Sequence, residues 1–241
     1  MTGLLRGELI KLRTTRTAIG FGVLTLVLLA LPVLAQTLLG QPVSAADQRD
    51  AVTVPWPIPV LPILFGVVGA TGEHRHGTIT SVFLVSPGRL RATAAKLVAY
   101  AAAGAIGGLL IQACALIIGL PIMATDQGLA LSVGDIAAVT GRTVAAFAFG
   151  AGLGVAVGAI VRHQVAGVVG TLVFLLILEP IVAAFSDAGE WTVNGAFVVL
   201  TAVADPGEFD YGPALAVALL LALTLVLGAF AVLSDRLRDV R

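Results

Sequence analysis

The stretch 72-GEHRHGTITSVFLVSPGRLRATAAK-96, Gly72 to Lys96, decides how the rest of the chain is read. Four of the chain's fourteen Lys and Arg lie in it, namely Arg75, Arg89, Arg91 and Lys96. Glu73 stands at its head, and Ser86-Pro87-Gly88 is a turn signal near its middle. On either side the chain is almost wholly apolar. A basic segment set between two apolar runs is the pattern of a cytoplasmic loop joining two membrane spans.

Composition supports that reading. Of the 241 residues, 58% are hydrophobic and only 12% charged, where a soluble domain carries about 25%. Mean hydropathy is +1.03. The expected fold is therefore all-α: a polytopic membrane protein forming one transmembrane domain over residues 1–241. The single cysteine, Cys114, lies in an apolar run, so no intrachain disulfide is available.

Upstream of the loop, Met1 to Arg16 (MTGLLRGELIKLRTTR) places Leu4, Leu5, Leu9 and Leu12 near helical spacing among Arg6, Glu8, Lys11, Arg13 and Arg16. That pattern predicts a short amphipathic helix lying on a membrane surface. Thr17 to Leu39 carries no charge and is long enough to span. A signal peptide is the rival, since Val33-Leu34-Ala35 resembles a cleavage site; the apolar run is long for one. Gly40 to Val54 reads as a polar loop. Pro55 to Ala70 opens with four prolines, at 55, 57, 59 and 62, which cannot all lie inside a helix. A helix starting near Val60 reaches Gly72 in roughly 20 Å, short of the ~30 Å hydrocarbon core. The preceding residues are thus either extended at membrane depth or seated among headgroups beside Trp56.

Downstream, Leu97 to Met123, Thr143 to Val161, Val165 to Phe185 and Pro213 to Leu233 complete six spans. With the N-terminus in the cytoplasm, only Arg49 and Arg142 of the fourteen Lys and Arg fall outside. The positive-inside rule then places both termini in the cytoplasm. Within the outer segment 186–211, Asn194 to Ala204 is apolar but too short to cross, and reads as an interfacial or re-entrant half-helix.

Little in the chain suggests catalysis. No GxxxxGK[ST] phosphate loop occurs, nor GxSxG or HExxH. His74, His76 and His163 all fall at the cytoplasmic ends, where solvated histidines are expected rather than metal ligands. Gly150, Gly154 and Gly158 form a small-residue stripe for close helix approach, in this chain or a second copy. Nucleic-acid binding has no support, because the basic residues are the positive-inside set. Two intramembrane polar residues remain. Arg142 closes the outer end of the fourth span, and Glu179 precedes Pro180 near the outer end of the fifth. An intramembrane acid is a functional candidate. Proton coupling and polar anchoring beside the proline are the alternatives, and the residues favour anchoring.

The chain resembles the permease subunit of type-2 ATP-binding-cassette (ABC) exporters, a group that includes antibiotic-resistance and bacitracin self-immunity transporters. Glu8 to Arg16 looks like the surface helix before their first span. Glu73, Gly77-Thr78, Pro87, Arg89 and Lys96 look like their first cytoplasmic loop, and Arg162 and Glu179-Pro180 are similar to the same group. The resemblance implies that 72–96, with Arg75 and Arg91, and the helix bearing Glu8, Lys11 and Arg13 dock on a separate cytoplasmic ATPase. It further implies a homodimer in the plasma membrane that binds no cofactor itself, the ATP lying on the partner. The implied cargo is a drug, peptide antibiotic or other lipophilic compound. An ion- or proton-coupled carrier using Glu179 is the alternative function.

Overall fold

The computed structural model describes residues 2–14, 16–53, 60–75, 89–126, 128–201 and 210–238. Among them there is no strand. The helices are α1 (Thr2–Thr14), α2 (Arg16–Leu39), α3 (Ala45–Val52), α4 (Val60–Arg75), α5 (Arg89–Asp126) and α6 (Val133–Val161). Then come α7 (Gln164–Phe185), a 3-10 turn (Asp187–Trp191), α8 (Val193–Thr201) and α9 (Pro213–Arg238). Five of these (α2, α5, α6, α7 and α9) are long and apolar enough to cross a membrane; α4 holds a shorter apolar stretch, Val60–Gly72. The architecture is that of a multi-pass membrane protein.

Most of these elements follow from the apolar Ala- and Leu-rich runs, and the caps are local. Ser44 and Asp47 start α3 with a reciprocal capping box, as Ser132 and Asp135 start α6. The hydroxyl and amide of Ser44 hold the Asp47 carboxyl below the usual aspartate range. Helix α6 ends at Arg162 in the left-handed region (φ 59°), whose N–H donates to Gly158 O at 2.9 Å. Pro62, third in α4, sits where its missing N–H costs no helical bond.

Two expectations are refined. The segment 40–54 is not plain loop. It contains α3, whose Gln48, Ala51 and Val52 are buried, and Ala51 and Val52 pack with Met123 and Leu131 from the far end of α5 and its connection to α6. Eight residues are too few to show helical periodicity; only the capping box signals them. The second difference is in α5, whose 38 residues make about 57 Å of helix at 1.5 Å per residue. It therefore takes in the last part of the stretch 72–96, as α4 takes in the first. Residues 54–59, and with them the question of extended backbone beside Trp56, lie outside the described residues.

Helix α6 is the centre of the bundle. It packs on α5, α4 and α9, and Ala146, Ala151, Val155 and Ala156 are fully enclosed. The glycine stripe meets α4 of the same chain. A Cβ on Gly154 would overlap the Ile63 carbonyl, and one on Gly158 would come within 2.8 Å of both Val67 O and Ala70 Cβ. Gly66 answers from α4, where a Cβ would lie 2.7 Å from Val155 N. On another flank a Cβ on Gly108 of α5 would sit 2.9 Å from Phe147 Cβ. Main chains thus touch where dispersion, rather than water exclusion, supplies the attraction.

A larger side chain in that seam must push the helices apart. Gly154→Leu is expected to cost at least about 1–3 kcal/mol and to lower the unfolding midpoint of purified protein in detergent by several degrees. Gly141→Ala, on the same helix with open space around it, should leave the midpoint unchanged. Equal midpoints for the two variants would remove the seam from the account.

Candidate functional site

Glu179 is 4% exposed and lies in the last turns of α7. Its carboxylate reaches α8, accepting from Val193 N–H through Oε1 and from Asn194 N–H through Oε2, each at 2.9 Å. These are the first two amides of α8, which no residue of that helix can satisfy. The third, Gly195 N–H, donates to Thr192 Oγ1 at 3.2 Å, and Ala196 N–H begins the regular ladder at Thr192 O, 3.0 Å away. The N-terminus of α8 is thereby fully satisfied. A carboxylate there also meets the positive end of the helix dipole.

The segment that carries Glu179 is itself modified. Phe174–Leu178 is one π-helical turn, in which Glu179 N–H donates to Phe174 O. Continued in that register, Leu175 O would take the N–H of residue 180, but Pro180 has none. Asn194 Nδ2 fills the gap, donating to Leu175 O at 2.6 Å. Proline, π turn, Glu179 and α8 are therefore one unit. Tyr211 closes its outer side, its hydroxyl donating to Glu190 O and its ring lying 4.9 Å from that of Trp191. Burial, and secondarily the Glu190 charge, push the Tyr211 phenol up, which keeps it a donor.

Arg142 is not at a helix end. Helix α6 starts ten residues earlier with its Ser132 cap, because Asp135 and the residues after it continue the helix beyond the apolar run. Arg142 is half-buried and makes no ion pair with Glu179 among the described residues. The fixed charge pair at that end is Arg49 with Asp135, at 3.5 Å.

The remaining predicted residues that the structure describes fall at the opposite end. Glu8 is buried and ion-paired to Lys11 at 2.8 Å. Helix α1 packs on α5, and its Leu12 joins Ala70, Leu97, Tyr100 and Val155 in one cluster. The backbone places Glu73 and Arg75 in the last turn of α4 and Arg89 at the start of α5, with exposed Arg91 and half-buried Lys96 following. The side chains of Glu73, Arg75, Arg89 and Arg13, and Gly77, Thr78 and Pro87 altogether, lie outside the described residues. The structure thus gathers α1, the end of α4 and the start of α5 in one place.

Two polar residues escaped the sequence reading. Gln112, fully buried in α5, donates to Val52 O at 3.0 Å and accepts from Thr143 Oγ1 at 2.8 Å. Gln48, fully buried in α3, donates to Pro42 O and Gly128 O and accepts from Ala130 N–H. An amide inside an apolar run was the visible signal at Gln112. Comparison with protein-family models gives no match, and comparison with the curated proteins gives none either.

Removing the carboxylate should uncap α8. Glu179→Ala is expected to speed hydrogen exchange of the Val193 and Asn194 amides about tenfold or more, from the loss of charge-assisted bonds of about 1.5–3 kcal/mol each. Glu179→Gln, which keeps one acceptor, should fall between. Unchanged exchange in the alanine variant would show that the carboxylate does not hold this helix.

Proposed function

We propose that this chain is the membrane-embedded permease subunit of a type-2 ABC exporter. In this reading it has six spans, with α4 as the short second one, and both termini in the cytoplasm of a cell whose plasma membrane it occupies. It pairs with a second copy and with a separate cytoplasmic ATPase, which holds the ATP; the chain has no ATPase site of its own. Its cargo is a drug, peptide antibiotic or other lipophilic compound.

The observation that carries the reading is the convergence at one end of the bundle. There α1 lies against α5, with Leu12 set among Ala70 of α4, Leu97 and Tyr100 of α5 and Val155 of α6. The basic stretch 72–96 joins α4 to α5 at that end, and the positive-inside count faces the same end toward the cytoplasm. Since α4 and α5 each meet α6 at main-chain distance, a push on the stretch 72–96 moves the three as one body. A partner that closes on ATP could drive the spans through that connection.

The carrier alternative is less well supported. Both oxygens of Glu179 are engaged by backbone amides, so protonating it would forfeit a hydrogen bond at each turnover. Anchoring α8 accounts for the carboxylate without coupling.

Co-purification from native membranes with a tag on the C-terminal tail tests the proposal. A stoichiometric ATPase partner is expected, with coupled activity falling at least severalfold in Glu73→Ala. A chain that purifies alone, without ATPase activity in any mild detergent, would overturn it.

A further inference from the structure

Between α7 and α9 the bundle is not closed. A cavity of about 610 Å³ lies there, floored by Leu153, Val157 and Val161 of α6 and walled by α7 on one side and Leu223 and Leu227 of α9 on the other. It runs the length of α7, from Ala166 past Gly170, Thr171 and Phe174 to Glu179, and ends under Trp191 and Thr192. Phe174, Leu178 and Val182 line it and are themselves about half exposed, so the groove opens sideways between two apolar helices. Its volume is that of a site for a small molecule.

One lining group does not fit an apolar filling. Thr171 is 8% exposed, and among the described residues its buried Oγ1 has no hydrogen-bond partner. Thr25, Thr37, Thr71 and Thr224, in other helices, each return the hydroxyl to the carbonyl one turn back at 2.7 Å. Thr171 does not. A buried hydroxyl left unsatisfied costs free energy that a valine of the same shape would avoid. Glu179 and Thr192, also on the groove, already have their oxygens engaged, by the first amides of α8 and by Gly189 O. Trp191 stands half-exposed at the groove's end, so Thr171 is the buried group left to recognise an occupant.

We propose that this groove binds one elongated lipophilic molecule with an oxygen function, hydroxyl or carbonyl, within its hydrocarbon body. The chain lies along α7, and the oxygen pairs with Thr171 Oγ1. A plain saturated acyl chain would fill the same space and leave the hydroxyl unmet, so the site discriminates between the two. Nothing in this rests on the exporter reading, since binding requires neither an ATPase nor transport.

The test uses the purified full chain in detergent. Trp56→Phe leaves Trp191, at the groove's end, as the only tryptophan. Stearate dibrominated at mid-chain is titrated as a quencher of Trp191, then displaced with stearate or with mid-chain hydroxystearate. Saturable quenching is expected, with hydroxystearate competing about fivefold better than stearate, the worth of one net hydrogen bond. Thr171→Val should abolish that preference, keep stearate binding and leave the ligand-free protein no less stable. Gly170→Phe, which enters open space on the lining, should remove the saturable quenching. Equal competition by the two fatty acids would overturn the proposal, as would quenching that does not saturate or that survives Gly170→Phe.

Discussion

The contact on which this structure depends is the approach of α4 to α6 at main-chain distance. An apolar surround gives helices no hydrophobic reason to associate, so they hold through packing and the few hydrogen bonds that cross between them. Gly66, Gly154 and Gly158 let two backbones touch, and Gly108 does the same where α5 meets Phe147. Because α6 is fixed on both sides, its position determines where α4, α5 and α9 stand. The short helix α4, with 16 residues or about 24 Å of rise, buries Val60, Ile63 and Val67 in the main core through this closeness.

A second constraint follows from the same surround: any polar group the packing encloses must find a partner inside the protein. Three places show how it is met. Gln112 ties α5 to the end of α3 and to Thr143 of α6. Gln48 ties α3 to the connection between α5 and α6. Glu179 supplies the two acceptors that the start of α8 lacks, while Asn194 returns a donor to the carbonyl orphaned by Pro180. Each joins segments far apart in sequence. Among the described residues Thr171 Oγ1 and Asn194 Oδ1 are outside this pattern, and of the two it is the Thr171 hydroxyl that lines the groove beside α7.

The long helices were legible because apolar runs of this length have few other folds, and the apolar run that starts at Asn194 announced the short helix Val193–Thr201. The glycine stripe on α6 announced a close partner, but spacing on one helix carries no information about which helix answers; α4 is settled only by Gly66 facing back. The anchoring role favoured for Glu179 agrees with its bonds to α8, yet its partners lie fourteen and fifteen residues away, beyond local pattern. Helix α3 was too short for periodicity to register, and the apolar run that Arg142 closes gave no sign that α6 extends past it through polar residues to Val133. The π turn left no sequence mark apart from Pro180.

Whether the α4–α6 seam lies within one chain is best measured by a cross-link. In a Cys114→Ala background, Ala70→Cys with Gly158→Cys places two Cβ positions that the helices hold 2.8 Å apart, so a separation of roughly 0.7 Å or more brings them into the ~3.5–4.5 Å range of a disulfide. Mild oxidation in membranes should give an intramolecular bond, seen as a monomer whose thiols resist alkylation until reduced. Disulfide-linked dimers, or a folded protein with both thiols still reactive, would contradict the packing on which this account rests.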